Sequence, residues 1–242
     1  MADVTSFLVL SAAVFCGAFV SGLAGFAFSA VAGAVLLHVM PPTEAVPLMM
    51  ACSVGVQGAN LWALRRNIAW RASLPLICGG LLGVPIALWL LSNTDSRTFR
   101  EGFGFAVALY ASYMLFRPAL AGAQDVHRGR IALVGFGGGL IGGLTAMPGA
   151  LPTIWCDLRG VPKQQQRGLV QPFIAAMQLS ALALMLLRHD LPAKVAYDLV
   201  LSVPALLAGS WLGLLAFRNI NEAGFRRVIL GLLLVSGMLL AV

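Results

Sequence analysis

Residues 131–156 read IALVGFGGGLIGGLTAMPGALPTIWC, an uncharged stretch long enough to cross a membrane. Glycine and proline interrupt its middle, at Gly142, Gly143, Pro148 and Pro152. Both residue types disfavour a continuous helix, because proline lacks the N–H group and glycine loses the most backbone entropy on ordering. The stretch therefore predicts two half-helices that meet inside a membrane.

The composition also places the chain in a membrane. Hydrophobic residues make up 60% of the 242 residues, charged residues only 10%, and the mean hydropathy is +0.90, whereas soluble domains carry charge on about a quarter of their residues. The 16 Lys and Arg fall in short segments between apolar runs. The net charge of +7 therefore belongs to loops at a membrane surface, and we expect no nucleic-acid partner.

Eight apolar runs lie between the charged segments, and most reach the ~20 residues that a helix needs to cross hydrocarbon. The first run is too long for one ordinary span and contains several glycines, so a break within it is predicted. The eight runs are 6–40, 43–64, 72–92, 99–116, 131–156, 164–187, 193–217 and 224–242.

The second half of the chain repeats the first. A shift of 121 residues aligns Gly-rich runs, Pro-containing turns and polar-dotted helices, and the matched residues include Gly22 with Gly143 and Gln57 with Gln178. Two copies of a four-element unit are the simplest explanation. The predicted parts are an N-terminal transmembrane repeat at 1–116, a cytoplasmic linker at 117–130 and a C-terminal transmembrane repeat at 131–242.

The basic residues distinguish two topologies for these repeats. If all eight runs crossed once, the 16 Lys and Arg would divide equally between the two sides. If 131–156 instead enters and leaves on one face, twelve lie on one side, as the positive-inside rule expects of a cytoplasmic face. The first run has no flanking Lys or Arg, and there the internal repeat alone indicates a hairpin. The predicted fold is an all-α polytopic membrane protein with two inverted repeats of four elements, each opening with a broken, re-entrant helical hairpin, giving six full spans and both chain ends outside the cytoplasm.

Two such hairpins related by a two-fold axis would meet near the membrane midplane and line a site, because irregular backbone at that depth needs protein or water around it. The second half-helix of 131–156 is expected to begin near Thr145 as N-cap, with Pro148 in its first turn. Its unpaired N–H groups and its dipole would favour an anion. Gly25 and Gly143 would let the backbone approach a substrate closely, although helix packing through small residues also explains such glycines.

Polar residues inside the spans are few. Gln57 and Gln178 occupy matching repeat positions, and an amide at membrane depth can donate hydrogen bonds to an oxyanion, although bonds between helices are its commoner role. Asn60 and Gln171 share a helix face with them, at spacings of three and seven. We predict that these four residues bind the substrate, together with Thr145 as a direct donor and the further hydroxyl-bearing residues Ser29, Ser53 and Thr153.

Other chemistries have little support in the sequence. Glu44, Asp157 and Asp198 are the carboxylates nearest to a span interior, and each lies near an end, so a proton relay through a central carboxylate has no visible carrier. No GxxxxGK[ST] motif is present, which argues against ATP hydrolysis. The four cysteines form no CxxC motif. We predict no enzyme, cofactor or metal site, with an intramembrane thiol-redox protein and a membrane assembly scaffold as the alternatives.

The stretch 135–173, GFGGGLIGGLTAMPGALPTIWCDLRGVPKQQQRGLVQPF, resembles the TauE/SafE family of membrane transporters, also called the sulfite exporter or toluene-sulfonate uptake permease family. The supporting pattern is a Gly-rich broken element, a turn with Pro and then a helix. It occurs first at 17–46, GAFVSGLAGFAFSAVAGAVLLHVMPPTEAV. Family members commonly carry a GxGGG-type signature in each half, whereas the first half of this chain has GLAGF at 22–26.

This resemblance covers essentially the whole chain. It implies a secondary transporter or facilitator that exports small sulfur-containing oxyanions, such as sulfite, sulfoacetate or other organosulfonates. It also implies a multi-pass protein of the bacterial inner membrane. The expected partners are thus a small anionic substrate and the lipid bilayer, and homo-oligomer formation stays open.

Overall fold

The structure, a computed structural model, describes residues 2–24, 27–65, 68–116, 128–217, 230, 231, 234, 237 and 238. Within these residues every regular element is an α-helix, as predicted. The helices with continuous bounds are α1 (Ala2–Ala24), α2 (Phe28–Val39), α3 (Pro42–Leu64), α4 (Trp70–Asn93), α5 (Ser96–Phe116), α6 (Arg128–Thr145), α7 (Ala150–Leu158), α8 (Lys163–Leu187) and α9 (Ala193–Phe217).

Several of these helices are suited to a membrane. In the described part of the chain, three stretches are long and apolar enough to cross one: Trp70–Asn93, Gln165–Leu187 and Ala193–Gly213. Shorter apolar stretches are Ser6–Gly22, Phe28–Val39 and Gly129–Thr145. Large apolar side chains on α4 and α9 point outwards, including Trp89 and Trp211, as lipid-facing surfaces require. The chain is a multi-pass, all-α membrane protein.

Both apolar runs that were predicted to be broken are divided. The first run is split between α1 and α2, and the fifth between α6 and α7. The repeat shift of 121 residues aligns the end of α1, Ala24, with the end of α6, Thr145. It also aligns the start of α3, Pro42, with the start of α8, Lys163. The same pattern of helix ends therefore occurs in both halves.

The helices form two compact units, each built from both halves of the sequence. In unit 1, α9 packs on α1, and in unit 2, α4 packs on α6. A helix from one half therefore covers the broken element of the other half. Unit 1 consists of Met1–Val56, Thr94–Arg117 and Leu191–Val242, and unit 2 of Gln57–Asn93 and Pro118–Asp190.

In unit 2, α4 and α6 run in the same direction at close range. Gly79 faces Ala132 near the start of α6, and Ala87, farther along α4, faces Gly143 near the end of α6. No side chain fits at Gly79, because a Cβ there would overlap the backbone of α6. Glycine thus allows the two helices to touch through their backbones.

Helix α8 runs parallel to α4 as well. The N–H of Ala69, just before α4, donates to the carbonyl of Gly168 (3.1 Å), and Gly80 farther along α4 faces Met177 farther along α8. Since α6 and α8 both run parallel to α4, they begin at the same end of unit 2. After α6 the chain must therefore return to that end before α8 begins, and α7 is the helix that brings it back.

A proline in α8 explains where α4 attaches. Pro172 has no N–H, so the carbonyl of Gly168, four residues earlier, loses its donor within the helix. The N–H of Ala69 donates to that carbonyl (3.1 Å). The hydroxyl of Ser73 donates to the neighbouring carbonyl of Leu169 (2.9 Å). The start of α4 is thus fixed where α8 cannot satisfy its own backbone.

Unit 1 repeats this parallel arrangement. Along α9, Gly209 faces Phe15 and Gly213 faces Phe19, so α9 runs parallel to α1. The contacts of α9 with α3, in chain order, are Lys194 with Glu44 and Leu206 with Gly55. Since α1 and α3 both run parallel to α9, they begin at the same end of unit 1, and α2 brings the chain back to that end.

Candidate functional site

The break in the fifth apolar run lies at 146–149, between α6 and α7. Ala146 adopts a left-handed conformation with φ of 55°, and its N–H donates to the carbonyl of Gly142 (2.8 Å), which terminates α6. An alanine in this conformation costs about 1–2 kcal/mol. Backbone strain of this kind concentrates at ligand-binding and switch regions, so the break is a candidate site.

The predicted start of the second half-helix is wrong. Thr145 ends α6 instead of capping α7, and its hydroxyl donates to the carbonyl four residues earlier (2.8 Å). The N-cap of α7 is Gly149, without a side-chain hydrogen bond. Pro148 lies before this cap, because a proline disfavours helical backbone at the residue that precedes it, here Met147. The proline in the first turn of α7 is Pro152, where a missing N–H costs little.

Both breaks are closed by a glycine that lies against the returning segment. A Cβ on Gly138 would lie 3.0 Å from the carbonyl oxygen of Pro148, and one on Gly17 would lie 3.0 Å from that of Phe28. The repeat shift aligns these two glycines. A left-handed alanine also occurs at the first break, where Ala27 has φ of 77°. The two breaks therefore share the glycine contact, whereas the left-handed alanine precedes α2 in the first break and follows α6 in the second.

Gln178 reaches the second break from α8. Its Nε2 donates to the carbonyl oxygen of Ala146 (3.3 Å), and the residue is only 2% exposed. Two of the predicted site residues thus come together here, since Thr145 directly precedes Ala146. The amide also supports the strained residue of the break from a neighbouring helix.

Other predicted residues of unit 2 are buried or pack between its helices. Gln57 and Gln171 are buried, as is Thr153, whose carbonyl accepts a hydrogen bond from the side chain of Gln166 (3.1 Å). Gly143 packs against α4, which matches the interpretation of such glycines as helix contacts.

The remaining predicted residues belong to α2 and α3 or fall outside the described residues. Ser29 and Ser53 are buried in unit 1. Asn60 lies in α3, but its side chain is not among the described ones, and Gly25 lies outside the described residues.

The predicted site residues at and near the second break are polar but uncharged. Thr145 and Thr153 supply hydroxyl groups, Gln178 supplies an amide, and α7 begins without a side-chain cap. Neutral donors can bind an anion through hydrogen bonds and a helix dipole, and they avoid the cost of burying a cation. Neutral donors of this kind suit a small oxyanion, which they would bind without forming an ion pair.

Comparison with known families now identifies the chain. A family model described as Sulfite exporter TauE/SafE matches residues 9–240, a range that contains both breaks. The chain belongs to the TauE/SafE family. The comparisons with curated proteins and with solved structures each find no match. The family resemblance seen in the sequence is thereby confirmed, and it makes this TauE/SafE chain a membrane transporter of the sulfite exporter type.

Sequence reasoning missed two features of this TauE/SafE chain. Ser73 and Ser202 are fully buried, and each hydroxyl donates to the carbonyl four residues earlier. Each opens a Ser-x-Pro motif, in α4 and in α9, and this recurrence was a signal in the sequence. The second feature is the burial of Asp198, which lies near the start of α9 and is only 8% exposed.

Proposed function

We propose that this TauE/SafE chain is a secondary transporter or facilitator that exports small sulfur-containing oxyanions across the bacterial inner membrane. The substrates proposed are sulfite, sulfoacetate or other organosulfonates. The family match over residues 9–240, which includes both broken elements, carries the proposal. Broken helices are a common way for secondary transporters to offer backbone groups to a substrate at membrane depth.

The proposal includes the inverted topology of the two repeats, 1–116 and 131–242, joined by a cytoplasmic linker at 117–130. If every apolar run crossed once, α8 would run antiparallel to α4, and α3 antiparallel to α1. The parallel courses within unit 2 and within unit 1 support a hairpin in the first and fifth runs instead. Six full spans with both chain ends outside then put twelve Lys and Arg in the cytoplasm.

The membrane potential supplies a driving force for export in this topology. An inside-negative potential drives each negative charge outward with about 2.3 kcal/mol per 100 mV, and a dianion with about twice that. Basic residues at the cytoplasmic face would raise the local concentration of anions, an effect that weakens as ionic strength rises. Export then needs no hydrolysis of a nucleotide.

We place the substrate at the second break, with Gln178 as a direct donor and with Thr145 as a direct donor once its hydroxyl leaves the carbonyl of Ile141. An amide carries two N–H groups, so Gln178 can hold the carbonyl of Ala146 and donate to an oxyanion at the same time. The further substrate-binding residues proposed are Gln57, Asn60, Gln171, Ser29, Ser53, Thr153, Gly25 and Gly143.

Flux into proteoliposomes tests this proposal. Purified protein should move labelled sulfite or sulfoacetate in the direction set by an imposed potential. Replacing Gln57 and Gln178 together with Ala should lower the flux by about tenfold or more, since a hydrogen bond to a charged group contributes about 1.5–3 kcal/mol. Gln165→Ala, an exposed glutamine at the start of α8, is the matched control and should leave the flux unchanged.

Two results would contradict different parts of the proposal. A double variant that transports as well as the wild type removes the site assignment. A wild-type protein that moves none of these anions, and whose melting temperature none of them raises in a screen that also includes sulfate, thiosulfate and taurine, removes the substrate class, because a ligand that binds the folded form must stabilise it.

A further inference from the structure

The start of α9 carries a charged cluster that the proposed oxyanion site does not use. The Nζ of Lys194 contacts the Oε2 of Glu44, in the first turn of α3, at 2.6 Å. Asp198 lies one helical turn after Lys194 and is only 8% exposed. Both residues of α9 fall in Ala193–Gly213, a stretch apolar enough to cross a membrane. The whole cluster belongs to unit 1.

One ammonium group lies near two carboxylates in this cluster: Lys194 contacts Glu44 directly, and Asp198 lies one helical turn away on the same helix. Among the described residues, the charges that act on Asp198 are those of Lys194 and Glu44. Helix α1, which also packs on α9, has Asp3 in its first turn and no other charged residue. With all three groups ionised the cluster has an excess of one negative charge, and a single proton removes it. The Lys194 side chain is 57% exposed, so the cluster lies at the end of the span, with Asp198 as its buried member.

Helix packing does not require these carboxylates, as the corresponding junction in unit 2 shows. Ser73 in α4 corresponds to Ser202 in α9, since each begins a Ser-x-Pro motif. The Ser73 hydroxyl bonds to the carbonyl of Ala69 and the Ser202 hydroxyl to that of Asp198, so Ala69 occupies the position that corresponds to Asp198. The repeat shift places Gln165 where unit 1 has Glu44. In unit 2 the sequence has no carboxylate at either position, and hydrogen bonds from the Ala69 N–H and the Ser73 hydroxyl attach the start of α4 to α8. The acidic pair is therefore an addition in one copy.

We propose that Asp198 is a proton-binding site that controls the rate of anion transport without carrying its proton across the membrane, and that Lys194 is the anion contact it controls. This inference rests on the proposed function. The Asp198 carboxylate takes up one proton to become a neutral carboxylic acid, and it returns that proton to water on the next step. With Asp198 neutral, Lys194 faces only Glu44, and the cluster no longer repels an oxyanion. By linkage, anion binding and protonation then strengthen each other.

The test uses methanesulfonate, whose own charge does not change between about pH 5 and pH 8, so that any pH dependence belongs to the protein. Wild-type flux in proteoliposomes should rise several-fold as the pH is lowered. Asp198→Asn, which mimics the protonated form, should give flux that is independent of pH. Asp190→Asn removes an exposed carboxylate from the preceding turn and is the matched control, which should follow the wild type. An Asp198→Asn variant with the wild-type pH profile would overturn the proposal.

Substitution of Glu44 gives an independent measurement. Glu44→Gln leaves Asp198 alone with Lys194, which stabilises the ionised carboxylate, so the pH at which flux rises should move to lower values. The same variant covers the case in which Asp198→Asn does not fold. An unchanged pH midpoint in Glu44→Gln would contradict the coupling of these groups.

Failure of the proposed function can be separated from failure of this inference. If the wild type moves no anion, the proposed function is wrong, and the melting temperature as a function of pH then decides the proton site. The wild type should show a pH-dependent melting temperature, and Asp198→Asn should flatten it, while Asp190→Asn should not. Equal curves for the wild type and Asp198→Asn would remove the proton site. Flux without pH dependence in the wild type would remove it as well, while the proposed function stands.

Discussion

Replacing Gly209 with alanine tests how closely α9 approaches α1. The new Cβ would lie 2.5 Å from the carbonyl oxygen of Phe15 and 3.0 Å from the Cβ of Ala18. Atoms in ordinary contact are about 3.5–4.0 Å apart, so the helices must separate by roughly 0.5–1 Å. Overpacking of this kind costs about 1–3 kcal/mol.

Gly102→Ala is the matched control for this substitution. Gly102 lies inside α5, and no atom lies within 4 Å of a Cβ built there. Both substitutions gain the same helix propensity, about 1 kcal/mol, so the difference between them isolates the packing cost. In thermal melting of the detergent-purified protein, a difference of about 1–3 kcal/mol corresponds to roughly 2–12 °C for a chain of this size. Equal melting temperatures for Gly209→Ala and Gly102→Ala would refute the close approach of α9 to α1.

Two further substitutions test the junction of α4 with α8 and the start of α5. Ser73→Ala removes the hydroxyl that donates to the carbonyl of Leu169, so the melting temperature should fall by the equivalent of about 1–2 kcal/mol. Ser180→Ala, whose hydroxyl bonds within its own helix, should change it little, and equal effects would contradict the junction. The N–H of Thr98 donates to Asp95 (2.9 Å) and lowers the pKa of that carboxyl, so its stabilising effect is present at neutral pH and is lost as the pH falls through the folded-state pKa. Asp95→Asn keeps a capping side chain without the titration, so its melting temperature should depend less on pH on the acid side than that of the wild type, and matching curves would contradict this.

Both breaks could be predicted from the sequence because their causes are local. Proline and glycine act on their own backbone, so Pro148 and the glycines before it disfavour a continuous helix whatever surrounds them. The exact role of Thr145 could not be predicted, because its hydroxyl can cap the next helix or bond back to its own helix, and both are short-range options. The structure has the second. Gln178 was predicted from its depth in an apolar run, and its contact with the break depends on that depth.

Helix partners and the burial of Asp198 could not be predicted in the same way. Gly79 and Gly209 show that a helix approaches closely, but glycine carries no information about which helix it is. The partners, α6 and α1, are distant in sequence. Asp198 is buried by α9 together with helices from the first half, so a position near a helix start gave no warning. The repeated Ser-x-Pro motifs at Ser73 and Ser202 would have shown which parts of α4 and α9 correspond.

The exchange of helices between the two halves has a consequence for biogenesis. Unit 2 has its complete set of helices once the ribosome has passed Asp190, whereas α1 must wait for Leu191–Val242. Leu191–Val242 adds 52 residues, so at about 5–20 residues per second this delay is roughly 3–10 seconds. Over that time the side of α1 that later meets α9, which includes Phe15, Ala18 and Gly22, faces lipid or the insertion machinery. A nascent chain stopped at Asp190 should therefore hold a finished unit 2 beside an unfinished unit 1.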